Sequence, residues 1–240
     1  GIFNYGDCGE NFGWSGNCWI NLQYDGGYAG FLQYARTGNR SYFDYGASAA
    51  RHLMDVDVNH NSGRVYRSSK DNHDNSPEYY HIINECLTNY YFLTGDSRSL
   101  EVAKEIGTWC TQAAKTNLDF FRRASERETA WHLMCLVSAY QATGDTYYLD
   151  SAKLLIDMLL DRQDKELGCW RTENSCCDNP VIGTHTGACS FMMGILLEAM
   201  TKYWEVTKDE RVKDSIIKAV DFLIDYYWVE NSETGKGDSF

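Results

Sequence analysis

The chain has 240 residues, enough for one large domain or two small ones, and its 43% hydrophobic and 14% aromatic content with only 2 Pro excludes a disordered chain. With 22 Lys and Arg against 34 Asp and Glu the net charge is −12, the wrong sign for a generic nucleic-acid binder, which must neutralise phosphates. No apolar run reaches the ~18 residues that span a bilayer, so no membrane partner is expected; an anionic polysaccharide stays compatible, since a local cationic cleft can sit within an acidic exterior.

The chain opens Gly1-Ile2-Phe3-Asn4, without initiator Met, basic n-region or apolar h-region. It reads as a processed mature chain or as part of a longer one. A loop over 1–18 leads into a first helix beginning near Tyr24 and Asp25. A four-fold repeat then runs along the sequence: an aromatic-rich stretch, a Thr-Gly-Asp-like turn, and an amphipathic stretch. The turns are Thr37-Gly38-Asn39, Thr94-Gly95-Asp96, Thr143-Gly144-Asp145 and Thr207-Lys208-Asp209. Gly suits the left-handed position that ends a helix, and Asp or Asn caps the next one. With Lys208 in place of Gly, the fourth turn is expected to differ in detail.

The segments after the turns are amphipathic. Leu149, Ala152, Ile156, Leu159 and Leu160 alternate with Lys153, Asp157 and Asp161, and Val212, Ile216, Val220 and Leu223 with Lys213, Asp214, Lys218 and Asp221. The segments before the turns are apolar nearly all round, as over Ala130–Val137 and Ala188–Leu197. A helix apolar on every face is covered on every face. Inner and outer helices should therefore alternate, which predicts an all-α, two-layer α/α toroid of the six-hairpin-glycosidase type. Four hairpins are visible, so the toroid is expected to be incomplete or open, its edges covered by a homo-oligomer partner or by further domains of a longer chain.

Turns from inner to outer helices are short, whereas those from outer to inner are long, at about 55–78, 116–125 and 164–184. Antiparallel hairpins place all the long connectors, and the N-termini of the inner helices, on one face. Long loops inside a compact domain are commonly functional. These carry Asn59-His60-Asn61, Asn72-His73-Asp74-Asn75, Gly13-Trp14-Ser15 and Trp170-Arg171, a mixture of amides, charges and rings suited to sugars.

Candidate functional residues follow from that face. Tyr24 and Asp25 lie at the first inner helix; Tyr79, Tyr80, His81 and Glu85 open the second, where the spacing of four puts His81 and Glu85 on one helix face. Arg127, Glu128 and His132 open the third, and His185, flanked by Gly183 and Gly187, the fourth. Several have a plainer reading. Tyr79 and Tyr80 can be packing residues in a chain with 17 Tyr, His132 a core histidine, and Arg127-Glu128 a charged first turn. No metal is expected, because His60, His73 and His81 lack zincin-type spacing and Cys176-Cys177 lack a C-x-x-C. No cofactor motif occurs: there is neither a P-loop nor a dinucleotide fingerprint, and no Gly-x-Ser-x-Gly. Nine Cys is an odd number. Cys86, Cys110, Cys135 and Cys189 read as buried thiols, and Cys8, Cys18, Cys169, Cys176 and Cys177 as disulfide candidates in a secreted protein. Asn39-Arg40-Ser41 forms a glycosylation sequon.

The runs Tyr5-Gly6-Asp7, Gln23-Tyr24-Asp25, Phe31–Gly38 and Ala49–Asp57, continuing through His60, His73, His81 with Glu85, and Tyr90–Asp96, resemble the central toroid of exo-acting rhamnogalacturonan lyase-like proteins. The likeness covers about the first hundred residues. It implies β-elimination on a uronate of a pectic polysaccharide: His81 or His185 as base, a Tyr among Tyr24, Tyr79 and Tyr80 as acid, and Arg127 pairing with the substrate carboxylate. On this reading His81, His185, Tyr80 and Glu85 are catalytic. Tyr24, Asp25, His60, His73, Arg127, Glu128, Trp170 and Arg171 bind substrate, and the protein is secreted. A glycoside hydrolase with two carboxylates drawn from Asp25, Glu85 and Glu128 is the alternative enzyme, and a carbohydrate-binding or assembly subunit the non-enzymatic one.

Overall fold

A computed structural model describes residues 10–12, 18–20, 24–65, 79, 81–171 and 189–228. In chain order a short antiparallel pair comes first, β1 (Glu10–Phe12) with β2 (Cys18–Ile20). It is followed by α1 (Gly26–Thr37), α2 (Arg40–His52), a π-helical turn (Leu53–Asp57) and a second antiparallel pair, β3 (Val58–Asn59) with β4 (Arg64–Val65). The remaining elements are helical: α3 (Glu85–Thr94), α4 (Ser97–Thr116), α5 (Leu118–Arg123), α6 (Glu126–Thr143), α7 (Thr146–Arg162), α8 (Ser190–Thr207) and α9 (Glu210–Tyr227). Among the described residues, no helix is long and apolar enough to cross a membrane.

The repeat seen in the sequence is a repeat of hydrogen bonds. In each turn the Thr hydroxyl donates to the carbonyl four residues back, at 2.7, 2.6, 2.7 and 2.9 Å for Thr37, Thr94, Thr143 and Thr207. The same oxygen accepts the N–H two residues on, from Asn39, Asp96, Asp145 and Asp209 at 3.1–3.3 Å. That Asn or Asp then accepts an N–H from the first turn of the next helix, at Ser41, Arg98, Tyr147 and Arg211. One three-residue motif thus ends one helix and caps the next. The middle residue is left-handed throughout, with φ of 68° at Gly38, 75° at Gly95, 70° at Gly144 and 56° at Lys208. The fourth turn, expected to differ, is the same. Lys208 takes the strained backbone, donates to the Trp204 carbonyl at 2.7 Å and lays its ammonium over the Trp204 ring, 4.2 Å from the centroid. That cation–π contact offsets part of the cost of a left-handed non-Gly residue.

The chain forms two compact units, Gly1–Ala113 with Met134–Ser151, and Ala114–Leu133 with Ala152–Phe240. In the first, α1 packs on α2 and α3. Phe31 is buried between Phe43 and Tyr90, ring centroids 5.9 and 6.1 Å away. Buried hydroxyls lace the helices together: Ser99 donates to the Leu87 carbonyl at 2.7 Å, and Thr88 and Ser138 share a bond of 2.7 Å. In the second unit α8 packs on α9, and Trp170, Phe121, Phe222, Leu155, Ile156 and Leu159 are fully buried. Gln163 donates to the Ser215 carbonyl at 2.9 Å and accepts the Ser215 hydroxyl at 2.7 Å, tying the end of α7 to α9.

Three expectations change. The connector near 116–125 is not a loop but holds α5, whose Phe121 is buried and so fixes the segment. Ala130–Val137 is buried on every side, whereas α8 is covered on one side only, with Phe191 and Gly194 exposed. Cys169, a disulfide candidate, is a buried free thiol, as are Cys110 and Cys135, and Cys86 and Cys189 are buried; Cys8, Cys176 and Cys177 lie outside the described residues.

Candidate active site

In the first unit, Asp25 braces two helices. One carboxylate oxygen caps α1 by accepting the Tyr28 N–H at 2.8 Å, and the other accepts the Cys86 N–H at 3.0 Å in the first turn of α3. Glu85 opens α3 and is buried, while Tyr24 is exposed beside Asp25. His81 does not share a helix face with Glu85, contrary to the spacing argument. The helix begins only at Glu85, because Asn84 before it is fully buried and donates its amide to the Cys135 carbonyl at 3.0 Å. His81 therefore sits in the irregular lead-in. Behind these carboxylates, burial pushes the Cys135 thiol well above its ordinary range, helped by a hydrogen bond with Cys110 and by the charges of Glu85 and Asp25. A thiol held that way stays protonated at neutral pH and makes a poor nucleophile. His60, in the turn between β3 and β4, pairs with Glu105 of α4 at 2.8 Å.

In the second unit the first turn of α6 carries Glu126, Arg127 and Glu128. Glu126 is 1% exposed, and neither of its carboxylate oxygens has a hydrogen-bond partner. Burial pushes its pKa up to about 7; its own backbone N–H and, more weakly, the charge of Arg162 pull it down, and that of Glu128 pushes it up. Glu128, also buried, accepts the Ser125 hydroxyl. His132 is the core histidine of the plainer reading. Fully buried, it bonds through Nδ1 to the Glu128 carbonyl at 2.9 Å and packs against Phe121 at 4.8 Å, and burial drops its pKa to about 4. A carboxylic acid that keeps its proton near neutrality is suited to general-acid work.

The other expected residues fare differently. Trp170 offers no ring face to a sugar: it is fully buried and donates its indole N–H to the Leu159 carbonyl at 2.9 Å. Arg171 pairs with Asp164 at 2.7 Å. His73, Tyr80 and His185 lie outside the described residues. Among the described residues, no group of three or more His, Cys, Asp and Glu could hold a metal ion. Sequence reasoning missed Glu126 and Arg162. The signal for Glu126 was a carboxylate immediately ahead of a wholly apolar run, where a helix start is dragged into the core.

The family described as Beta-L-arabinofuranosidase, GH127 catalytic domain matches residues 29–218. No curated protein matches. Among solved structures the chain resembles cellobiose 2-epimerase from Bacillus thermoamylovorans, at 14% identity and a TM-score of 0.65 over 88% of this chain and 61% of that one. It also resembles a family 76 glycoside hydrolase from a bovine Bacteroides thetaiotaomicron strain, at 20% identity and a TM-score of 0.62 over 95% and 53%. A polysaccharide lyase follows at 14% identity and a TM-score of 0.58, over 85% and 60%. The chain thus spans about three fifths or less of the length of these proteins. An epimerase, a hydrolase and a lyase share the α/α toroid fold with it, so the fold by itself does not choose the reaction. The six-hairpin, carbohydrate-active kinship expected from the sequence holds, while the matching family is one of hydrolases.

Proposed function

Because the chain belongs to the β-L-arabinofuranosidase family of GH127 catalytic domains, we propose that it hydrolyses glycosidic bonds of furanosidic arabinose, with Glu126 as the general acid. The match over residues 29–218 carries the reading, and the buried, protonated Glu126 supports it. Hydrolysis needs a proton delivered to the departing glycosidic oxygen as positive charge builds on the sugar ring. A carboxyl with a pKa of about 7 keeps a large protonated share at neutral pH, where an ordinary carboxylate keeps almost none, and gives the proton up readily. Glu128, two residues on, points to a different side of α6; its charge helps keep the proton on Glu126.

The experiment is hydrolysis of a chromogenic β-L-arabinofuranoside by the whole chain. Glu126→Gln should lower kcat by roughly 10²–10⁴-fold with the circular dichroism unchanged. Full turnover by this variant removes Glu126 from the mechanism.

The resemblance of the runs between Tyr5 and Asp96 to rhamnogalacturonan lyase-like proteins favours a second reading, β-elimination on a uronate with His81 or His185 as base. Elimination alone leaves a double bond, so ultraviolet absorbance from a pectic substrate, abolished by His81→Ala or His185→Ala, would establish it over hydrolysis.

A further inference from the structure

We propose that Asn39, in the turn between α1 and α2, is a glycan acceptor. Its amide nitrogen takes an N-linked oligosaccharide from a lipid-diphosphate donor when the chain is secreted through a glycosylating compartment. Asn39-Arg40-Ser41 is the one Asn-x-Ser/Thr sequence, with x other than Pro, in the 240 residues. Such a sequence serves as an acceptor on a surface turn of a secreted chain, and the fold puts it on one. Every residue from Ala35 to Tyr42 is exposed, whereas the three equivalent turns are exposed over at most four consecutive residues. At Gly38 even an added Cβ would meet nothing within 4 Å. Arg40, between the acceptor and Ser41, is held along α2 by its ion pair with Asp44 at 2.9 Å and by the Phe43 ring, 4.5 Å from the centroid.

The Asn39 amide is divided between two tasks. Its Oδ1 accepts the Ser41 N–H at 3.0 Å and so caps α2. The three equivalent caps are Asp96, Asp145 and Asp209, which offer the same oxygen and no nitrogen. Capping therefore does not call for an amide here, and no hydrogen bond of the described residues uses Asn39 Nδ2. In the transfer Nδ2 attacks C1 of the first sugar. The N–C1 bond forms, the bond from C1 to the diphosphate oxygen breaks with its electron pair leaving on the lipid diphosphate, and Nδ2 gives up one proton. Oδ1 keeps its lone pairs, so the cap survives the glycan. Asp25 caps the other end of the 12-residue α1, about 18 Å away at about 1.5 Å per residue, so the glycan stands clear of the Asp25–Cys86 brace.

The test is cell-free translation of the full chain behind a cleavable secretion signal, with and without microsomal membranes. The translocated fraction, protected from added protease, is read by gel mobility and intact mass. With membranes, wild type should gain the mass of one oligosaccharide and lose it again on treatment with a peptide N-glycanase. Asn39→Asp and Ser41→Ala should each abolish the gain. A protected wild-type chain of unchanged mass overturns the proposal, and so does a gain that persists in either variant. A second measurement follows the cap. Asn39→Asp keeps the capping oxygen and should melt at the wild-type temperature, whereas Asn39→Ala loses it and should melt lower. If Asn39→Asp melts as low as Asn39→Ala, the nitrogen is needed by the fold, and its release for a sugar is overturned.

Discussion

Two buried titratable residues of the second unit pull the stability of the protein in opposite directions with pH. The Glu126 pKa is raised from 4.5 to about 7, so between those values the folded chain binds a proton that the unfolded chain has released. Its share of stability is therefore present below about pH 4.5 and declines as pH rises through 7. The His132 pKa is lowered from 6.5 to about 4, so here the unfolded chain binds the extra proton, and stability declines as pH falls from 6.5 towards 4. Glu126→Gln removes only the first effect. Urea unfolding should show the variant gaining on wild type between pH 5 and pH 8, by on the order of 3 kcal/mol at full desolvation. An equal difference at both pH values would mean that Glu126 is not held protonated by the fold. Space decides at Gly63 in the first unit, where φ is 73° and a Cβ would stand 2.1 Å from the Glu105 carbonyl oxygen. The backbone lies against α4 where His60 also pairs with Glu105, so the strand pair and the histidine are held at one point.

At the scale of elements, what the sequence disclosed was whatever is written within a few residues. The Thr-Gly-Asp turn is local: hydroxyl, left-handed residue and cap all lie within one turn of helix, so four helix ends and four helix starts could be read directly. Thr94→Val keeps the shape and deletes both bonds of its hydroxyl. It should cost about 1–2 kcal/mol, measured by urea unfolding, whereas Thr94→Ser should recover most of the loss. A hydroxyl without structural weight would leave the valine variant as stable as wild type. Features set by distant partners were not legible. The start of α3 depends on Asn84 meeting Cys135, 51 residues away, and α5 depends on burying Phe121. Among site residues, Asp25 and Glu85 announce themselves as carboxylates at helix starts, but the N–H of Cys86 that commits Asp25 to bracing is 61 residues off. Glu126, at the start of α6, is drawn into the core only by the helices that fold over it, which no local pattern shows. Trp170 misled because a ring in a polar loop looks available until the chain closes over it.

For the whole molecule, net charge and apolar surface oppose each other. At −12, copies of the chain repel one another, and repulsion between exposed charges reaches about 10 Å in 0.1 M salt but only about 3 Å at 1 M. Along α9 and just beyond it, Ile217, Val220, Ile224 and Trp228 are 49, 39, 52 and 40% exposed. Their spacings of three, four and four residues put them on one face of the helix. Removing such a stripe from water is favourable by roughly 25 cal/mol per Å², an attraction that salt leaves intact while it screens the repulsion. Sedimentation velocity should therefore show self-association growing with added NaCl. Ile224→Glu, which places a charge in the middle of the stripe, should keep the chain monomeric at the same salt, and Asp221→Asn, on the same helix, should not. Association that weakens with salt would make the contact ionic, and association that persists undiminished in Ile224→Glu would place it elsewhere.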